Sequence, residues 1–196
     1  EVSAMTESSL LNEHDQKWLL RLARRTLECL PATGTADLTD AVLAGLDVPP
    51  SVEAPRGVFV TLRRSGVLRG CIGCILPLDP LYRAVVDSAV SAARRDPRFP
   101  PVALDEVPRL HIEISVMTVP EEVRDVSQIE VGRDGLIVSR GFARGLLLPQ
   151  VATKYGWDRE TFLAHTCNKA GFRLDAWREG GGKIEKFSAQ GFSEDE

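Results

Sequence analysis

Two apolar segments separated by a serine–glycine pair restrict this chain to folds that contain an antiparallel hairpin. Residues 58–62 are β-branched, aromatic or aliphatic, a composition that favours a strand. Ser65-Gly66 is typical of a two-residue hairpin turn, and residues 67–76 follow as a second strand that Gly70 and Gly73 interrupt. Because so short a turn joins only antiparallel neighbours, the fold includes an antiparallel sheet.

The rest of the chain alternates between helical and strand patterns. Residues 12–30 carry apolar side chains every three or four positions, which predicts an amphipathic helix. Leu110–Val116 alternates apolar and polar residues and is the clearest strand. Asp79 and Pro80 are typical of a helix N-cap and a first helical position. Further helices are predicted at 79–95 and 158–170, and further strands at 136–138, 143–148 and 184–187. Strands outnumber helices and hairpins outnumber crossovers, so the predicted fold class is α+β with a mainly antiparallel sheet.

A similar order of residues occurs twice along the chain. Each copy has a glycine-led strand, an Arg-Gly pair and a Leu-Pro pair before a predicted helix: Gly57–Thr61, Arg69-Gly70 and Leu76-Pro77, then Gly135–Ser139, Arg144-Gly145 and Leu148-Pro149. This order suggests a duplicated strand–helix–strand unit, and chance similarity of a few permissive positions explains it equally well.

Composition excludes several classes of protein. The 196 residues carry a formal net charge of −4, which argues against a dedicated nucleic-acid binder. The apolar runs are far shorter than the roughly 20 residues of a membrane span, and no export signal is visible. The four cysteines are therefore expected to be free thiols in a cytoplasmic protein. Residues 56–109 hold nine arginines and five acidic residues, a local charge of +4 that suits an anionic ligand or a salt-bridged surface.

The segment Leu68–Gly73 is the main candidate for chemistry. Arg69 lies two residues before Cys71, and a neighbouring cation favours the thiolate form of a cysteine. Gly70 and Gly73 allow another group to approach the backbone closely. These residues predict an anion-binding site with a reactive Cys71, and the alternative is a cysteine packed in a buried strand.

Cys74 completes a C-x-x-C spacing with Cys71. In a strand, an offset of three places two side chains on opposite faces. We therefore predict that the two cysteines form no disulfide and hold no metal.

Glu113 is a second candidate. It shares one face of the predicted strand with His111 and Ser115, and this trio suits acid–base chemistry or a solvent-facing surface. We predict that Arg69, Cys71 and Glu113 lie in one cleft.

The segment Leu68-Arg69-Gly70-Cys71-Ile72-Gly73 resembles the signature of the AMMECR-domain family, whose microbial members are called AmmeMemoRadiSam system protein A. Further matching segments follow the family order at residues 55–62, 96–99, 112–116, 145–152 and 167–171. The family usually has threonine where Cys74 stands, which weakens a redox interpretation of the cysteine pair.

The resemblance implies one AMMECR-like domain over residues 1–196, with a core at about 12–192 and a large and a small lobe. It also implies a barrel-like antiparallel sheet with flanking helices and a duplicated strand–helix–strand unit. The name of the microbial members implies association with a Memo-like protein and a radical S-adenosylmethionine (SAM) enzyme. This chain lacks the C-x₃-C-x₂-C spacing of such enzymes.

These observations lead to an expected function without a named reaction. We expect a ligand-binding or catalytic cleft near the signature segment Leu68–Gly73, in which Cys71 reacts and Arg69, Gly70, Gly73 and Glu113 bind a small anionic molecule. The alternatives are a non-catalytic adaptor that presents a substrate to a partner, and an accessory factor in nucleic-acid modification. No cofactor is predicted, and direct nucleic-acid binding is not expected.

Overall fold

The computed structural model describes residues 10–30 and 38–194, and these form two compact units. The first unit comprises Glu1–Met117 and Gln190–Glu196, and the second comprises Thr118–Ala189. Each unit contains a four-stranded antiparallel sheet and helices, so the α+β class is confirmed.

The first unit contains strands β1 (Val58–Arg64), β2 (Val67–Cys74) and β3 (Leu110–Met117), and β8 (Ala189–Ser193) completes its sheet. The strand order is β2-β1-β3-β8. Its helices are α1 (Glu13–Glu28), α2 (Thr39–Leu43) and α3 (Leu81–Arg94). Alternate residues of β1 and β3 are buried against α1 and α3, as the period of two requires: Val58, Val60, Leu62, Ile112 and Ile114.

The second unit contains β4 (Glu121–Glu122), β5 (Gly135–Arg140), β6 (Ala143–Leu147) and β7 (Lys183–Phe187) in the order β4-β7-β5-β6. Helices α4 (Pro149–Tyr155) and α5 (Arg159–Lys169) belong to this unit. Its core gathers around side chains that are almost fully buried: Ile129, Leu136, Phe162 and Leu163.

The prediction of a barrel-like sheet is wrong, because both sheets are open. The first sheet ends at β2 and β8, and the second ends at β4 and β6. At the β2 edge, polar side chains take the place of a neighbouring strand: Asp96 accepts the backbone N–H of Cys71, and Arg98 donates to the Cys71 carbonyl. An edge covered in this way does not need to close on another strand.

The two units share one arrangement of strands around the proposed repeat. The order β2-β1-β3 in the first sheet corresponds to β6-β5-β7 in the second. A helix follows each hairpin before the third strand: α3 in the first unit and α5 in the second. The matching order supports the repeat that the sequence suggests, and its origin by duplication stays a prediction.

Helix α3 begins one residue later than the sequence predicts. Its first helical residue is Leu81, Pro80 occupies the N-cap position, and no side chain caps the helix. The carboxylate of Asp79 is therefore available for another role.

No helix in residues 10–30 and 38–194 is both long enough and apolar enough to cross a membrane.

Candidate functional site

Arg69 occupies a β-bulge in the signature segment. Leu62 pairs with Gly70 and Arg63 pairs with Leu68, so Arg69 is the extra residue of β2. Its guanidinium donates to both carboxylate oxygens of Glu106, from Nη2 at 2.9 Å and from Nε at 3.3 Å. The bulge thus turns Arg69 away from the strand pairing and towards Glu106.

This arginine is engaged inside the protein. Only 13% of its side chain is exposed, and Nη1 also donates to the Pro100 carbonyl at 2.9 Å. The Arg69 hydrogen bond, with help from the Ala103 amide and from Arg64, lowers the pKa of Glu106 from 4.5 to about 2. The predicted role of Arg69 as a ligand anchor stays a prediction, and the donors it would use already have partners.

Close backbone contacts explain both glycines of the signature segment. A Cβ atom on Gly70 would lie 2.1 Å from the Ala92 carbonyl oxygen of α3. A Cβ atom on Gly73 would lie 2.1 Å from the Val58 carbonyl oxygen and 2.8 Å from the Phe59 ring. Any side chain at these positions would force apart the helix, the sheet or both.

Cys71 lies half-buried on β2, directly opposite Thr61. The Thr61 hydroxyl donates to the Cys71 Sγ atom at 3.2 Å. The Cys71 amide donates to Asp96 at 2.9 Å, so the thiol, the amide and the carbonyl of this residue are all held in defined directions.

Asp96 and Arg98 form the clamp that fixes Cys71. Asp96 is only 4% exposed and accepts hydrogen bonds from the Arg98 Nε and Nη2 atoms at 2.9 and 2.6 Å. These bonds, with the Cys71 amide, hold the pKa of Asp96 well below its usual range despite burial. The clamp joins two of the segments that carry the resemblance, residues 68–73 and 96–99.

Glu113 shares a cross-strand row with Cys71. Thr61 pairs with Cys71 on one side and with Glu113 on the other, so the three residues follow one line across β2, β1 and β3. Glu113 accepts a hydrogen bond from the Arg63 Nε atom at 2.6 Å. The structure therefore aligns Cys71 and Glu113 with a threonine between them, while Arg69 turns towards Glu106.

A cavity of about 190 Å³ lies on the other side of β2, between the strand and α3. Of the five predicted site residues only Gly73 lines it, and Arg69, Gly70, Cys71 and Glu113 do not. Its polar and charged lining residues are Arg56, Cys74, Asp79, Asp87, Ser88 and Ser91.

The charges of the lining favour a ligand that donates hydrogen bonds. One guanidinium, from Arg56, and two carboxylates, from Asp79 and Asp87, give the lining a formal charge of −1. Burial lowers the pKa of Arg56, which stays protonated as arginines do. Asp79 is exposed and makes neither a hydrogen bond nor an ion pair within the described residues. Sequence reasoning missed these residues because Asp79 was assigned to a helix cap, and Arg56 was named only within the matching segment 55–62, to which no chemistry was assigned.

The two cysteines of the C-x-x-C spacing lie on opposite faces of β2, as the strand period predicts. The Cys71 thiol contacts Thr61 on one face, and Cys74 lines the cavity next to α3 on the other. Both are free thiols. Across residues 10–30 and 38–194, no group of three or more His, Cys, Asp or Glu side chains is placed to hold a metal ion.

Comparison with known proteins places these features in a family. The AMMECR1 family model matches residues 20–192. A protein of Pyrococcus furiosus is 46% identical over 189 residues, covering 91% of this chain and 88% of that protein. A protein of Methanosarcina mazei is 43% identical over 192 residues, covering 95% of each. The crystal structure of an uncharacterised protein from Pyrococcus horikoshii superimposes with a TM-score of 0.67 at 42% identity, covering 94% of both chains.

Proposed function

This chain belongs to the AMMECR1 family, and from that premise we propose that it binds a small amine-bearing molecule in the cavity beside β2. The observation that carries the proposal is the Asp79 carboxylate, which lines the cavity and has no partner within the described residues. Concave sites with a few polar groups are where proteins usually bind small molecules.

The lining suits a molecule with a short apolar part. Val58, Ile72, Leu76 and Leu78 contribute apolar surface, and Leu78 is 71% exposed at the loop between β2 and α3. An ammonium group would pair with Asp79, and its alkyl chain would cover Leu78. This arrangement differs from the anionic ligand that the sequence predicts, because that ligand depended on Arg69.

Thiol chemistry at Cys71 is the second candidate, and the Thr61 hydrogen bond to its sulfur favours it. The Thr61 hydroxyl, 3.2 Å away, holds the Cys71 Sγ atom in a fixed position, and a cysteine sulfur is the nucleophile of thiol chemistry. For this candidate function, Glu113 supplies a carboxylate at the other end of the cross-strand row that runs from Cys71 through Thr61. Gly70 and Gly73 allow the close backbone contacts that shape β2 at this site, and their roles in ligand binding stay predictions.

Alkylation of the native protein tests both candidates in one measurement. Iodoacetamide labelling, followed by mass spectrometry of peptides, gives separate rates for Cys29, Cys71 and Cys74. Butylamine and butyrate, which share an alkyl chain but differ in charge, serve as probes. We expect butylamine to slow the alkylation of Cys74 at least threefold, leaving the exposed Cys29 as an unaffected internal reference.

Two matched variants decide the role of the carboxylate. Asp79→Asn should abolish protection by butylamine, whereas Asp47→Asn, which removes the same charge from an exposed position outside the cavity, should retain it. Protection by butyrate alone would restore the anionic ligand and overturn the amine proposal, as would a Cys74 rate that neither probe changes.

Alkylation of Cys71 at pH 7 faster than that of Cys29 would support thiol chemistry, and a slower rate would contradict it.

The name of the microbial members of the family suggests a larger biological setting. We propose that the bound molecule is presented to a Memo-like protein or to a radical SAM enzyme, with a non-catalytic adaptor role as the alternative to catalysis at Cys71. A role as an accessory in nucleic-acid modification is the remaining alternative.

A further inference from the structure

Three aromatic rings stack on the surface of the second unit, where α4 ends and α5 begins. The Trp157 and His165 rings are parallel within 3°, with their centroids 3.9 Å apart. Tyr155 stacks on Trp157 with centroids 5.1 Å apart and an angle of 21°. The left-handed Gly156 turn, with φ of 64°, lets Tyr155 and Trp157 lie on the same side of the chain.

Core packing explains only part of this stack. Trp157 packs against the core of the second unit. Tyr155 is 60% exposed, so its ring adds little to that core. The Lys154 ammonium lies 5.5 Å from the centroid of the Tyr155 ring. An exposed aromatic ring beneath a flexible cation can accept a planar group between them.

The surrounding charges suit a phosphate. Lys154 and Lys169 make no ion pair within the described residues, and Lys169 lies one helical turn beyond His165 on α5. Of the neighbouring acidic groups, Glu160 pairs with Arg178 at 2.5 Å, and the Asp158 carboxylate caps α5 by accepting the Thr161 amide at 2.8 Å.

We infer that Tyr155, Trp157 and His165 form a stacking platform for a nucleobase whose phosphate is bound by Lys154 or Lys169. Bases stack on aromatic side chains without sequence preference, and lysines pair with their phosphates. The same chemistry is offered by a free nucleotide and by a single strand of RNA. The inference is independent of the cavity beside β2, which belongs to the other unit.

The test uses the full chain and fluorescence anisotropy of a fluorescein-labelled ten-nucleotide oligoadenylate at low salt, with AMP as competitor. We expect binding that Tyr155→Ala weakens at least fivefold and that Tyr155→Phe, which keeps the ring, changes less than twofold. A double change of Lys154→Ala and Lys169→Ala should weaken binding and reduce its salt dependence. Phe142→Ala removes another fully exposed aromatic ring of the same unit and should have no effect.

The two sources of the ligand give different results. If AMP displaces the oligomer when its concentration equals that of the oligomer's nucleotide units, the ligand is a free nucleotide. If AMP displaces the oligomer only at a tenfold or greater excess, the ligand is a single strand. Absence of binding to both probes would overturn the inference. Equal binding by the parent protein and by Tyr155→Ala would overturn it as well, provided that the variant melts at the same temperature as the parent.

Discussion

At the scale of the residue, Arg69 links the signature segment to Glu106, and its loss tests whether that link is structural. The pair is mostly buried, with 13% and 14% of the two side chains exposed. Removing one partner of such a pair leaves the other charge buried without compensation, which costs about 3 kcal/mol. We expect Arg69→Ala to lower the free energy of unfolding in urea by about that amount at pH 7, and Arg69→Lys, which keeps the charge but loses the planar fork, by less.

The pH dependence of this loss identifies the partner. Arg69, with the Ala103 amide and Arg64, lowers the pKa of Glu106 from 4.5 to about 2. The stabilising effect of the Arg69–Glu106 pair is therefore complete above pH 4.5 and fades as the pH falls towards 2. The difference between the parent and Arg69→Ala should therefore shrink between pH 4.5 and pH 2.5. Arg109→Ala breaks an exposed ion pair with Asp105 at 3.5 Å and should cost less than about 1 kcal/mol. A loss for Arg69→Ala no larger than that of this control would argue that Arg69 is kept for a ligand.

At the scale of the element, one glycine in each hairpin sets how closely a helix approaches its sheet. A Cβ atom on Gly145 would lie 2.3 Å from the Ala170 backbone nitrogen at the end of α5, as one on Gly70 would lie 2.1 Å from the Ala92 oxygen of α3. Both clashes involve backbone atoms, which cannot rotate away. We expect Gly70→Ala and Gly145→Ala each to lower the free energy of unfolding by about 3 kcal/mol or more, measured in urea.

The matched control lies in β8. A Cβ atom on Gly191 would lie 3.9 Å from the Ser115 hydroxyl, an ordinary contact. Gly191→Ala should therefore leave stability unchanged or raise it slightly through the unfolded chain. A tolerated alanine at Gly70 or Gly145 would show that the helices are free to move away and that the two glycines do not hold equivalent positions.

Elements with a clear local period could be predicted from the sequence. The hairpin β1–β2, the alternating strand β3 and the amphipathic helices α1 and α3 all carry their pattern in their own residues. Helix α5 is marked instead by its Asp158 N-cap, whose side chain accepts the Thr161 amide. Three elements were missed. Strand β4 has only two residues, too few for an alternating pattern. Helix α4 has only seven residues, too few for a helical period, and β8 joins β3 from the far end of the chain.

The site was less predictable because its contacts connect distant residues. Arg69 and Cys71 were found from their segment, but their partners Glu106 and Asp96 lie 37 and 25 positions away. The alignment of Cys71 with Glu113 depends on the register of β1 with both neighbours, which local patterns do not specify. The position of Asp79 before Pro80 predicts a helix cap and gives no sign of the cavity, because helix capping and ligand binding use the same carboxylate.

At the scale of the whole molecule, the second unit is a continuous insertion within the first. It comprises Thr118–Ala189, and chain on both sides of it belongs to the first unit. Its two ends meet: the Thr118 amide donates to the Ser188 carbonyl at 2.8 Å, and the Ser188 amide donates to the Thr118 hydroxyl at 2.9 Å. Insertions whose ends lie together leave the fold of the host continuous.

This arrangement predicts that Thr118–Ala189 folds when produced alone. The segment contains a complete four-stranded sheet, both of its helices and a buried core of its own: Ile129, Leu136, Phe162 and Leu163. A domain of this size buries only about 60% of its unfolded surface, so its stability should be small. We expect dispersed amide signals in NMR and a cooperative thermal transition below that of the full chain.

Phe162→Ala removes the largest fully buried side chain of the core and should abolish the transition, since such a change costs about 3–5 kcal/mol. A fragment with collapsed amide signals and no transition would mean that the second unit depends on the first for folding, and the insertion would then be a geometric feature of the chain without independent stability.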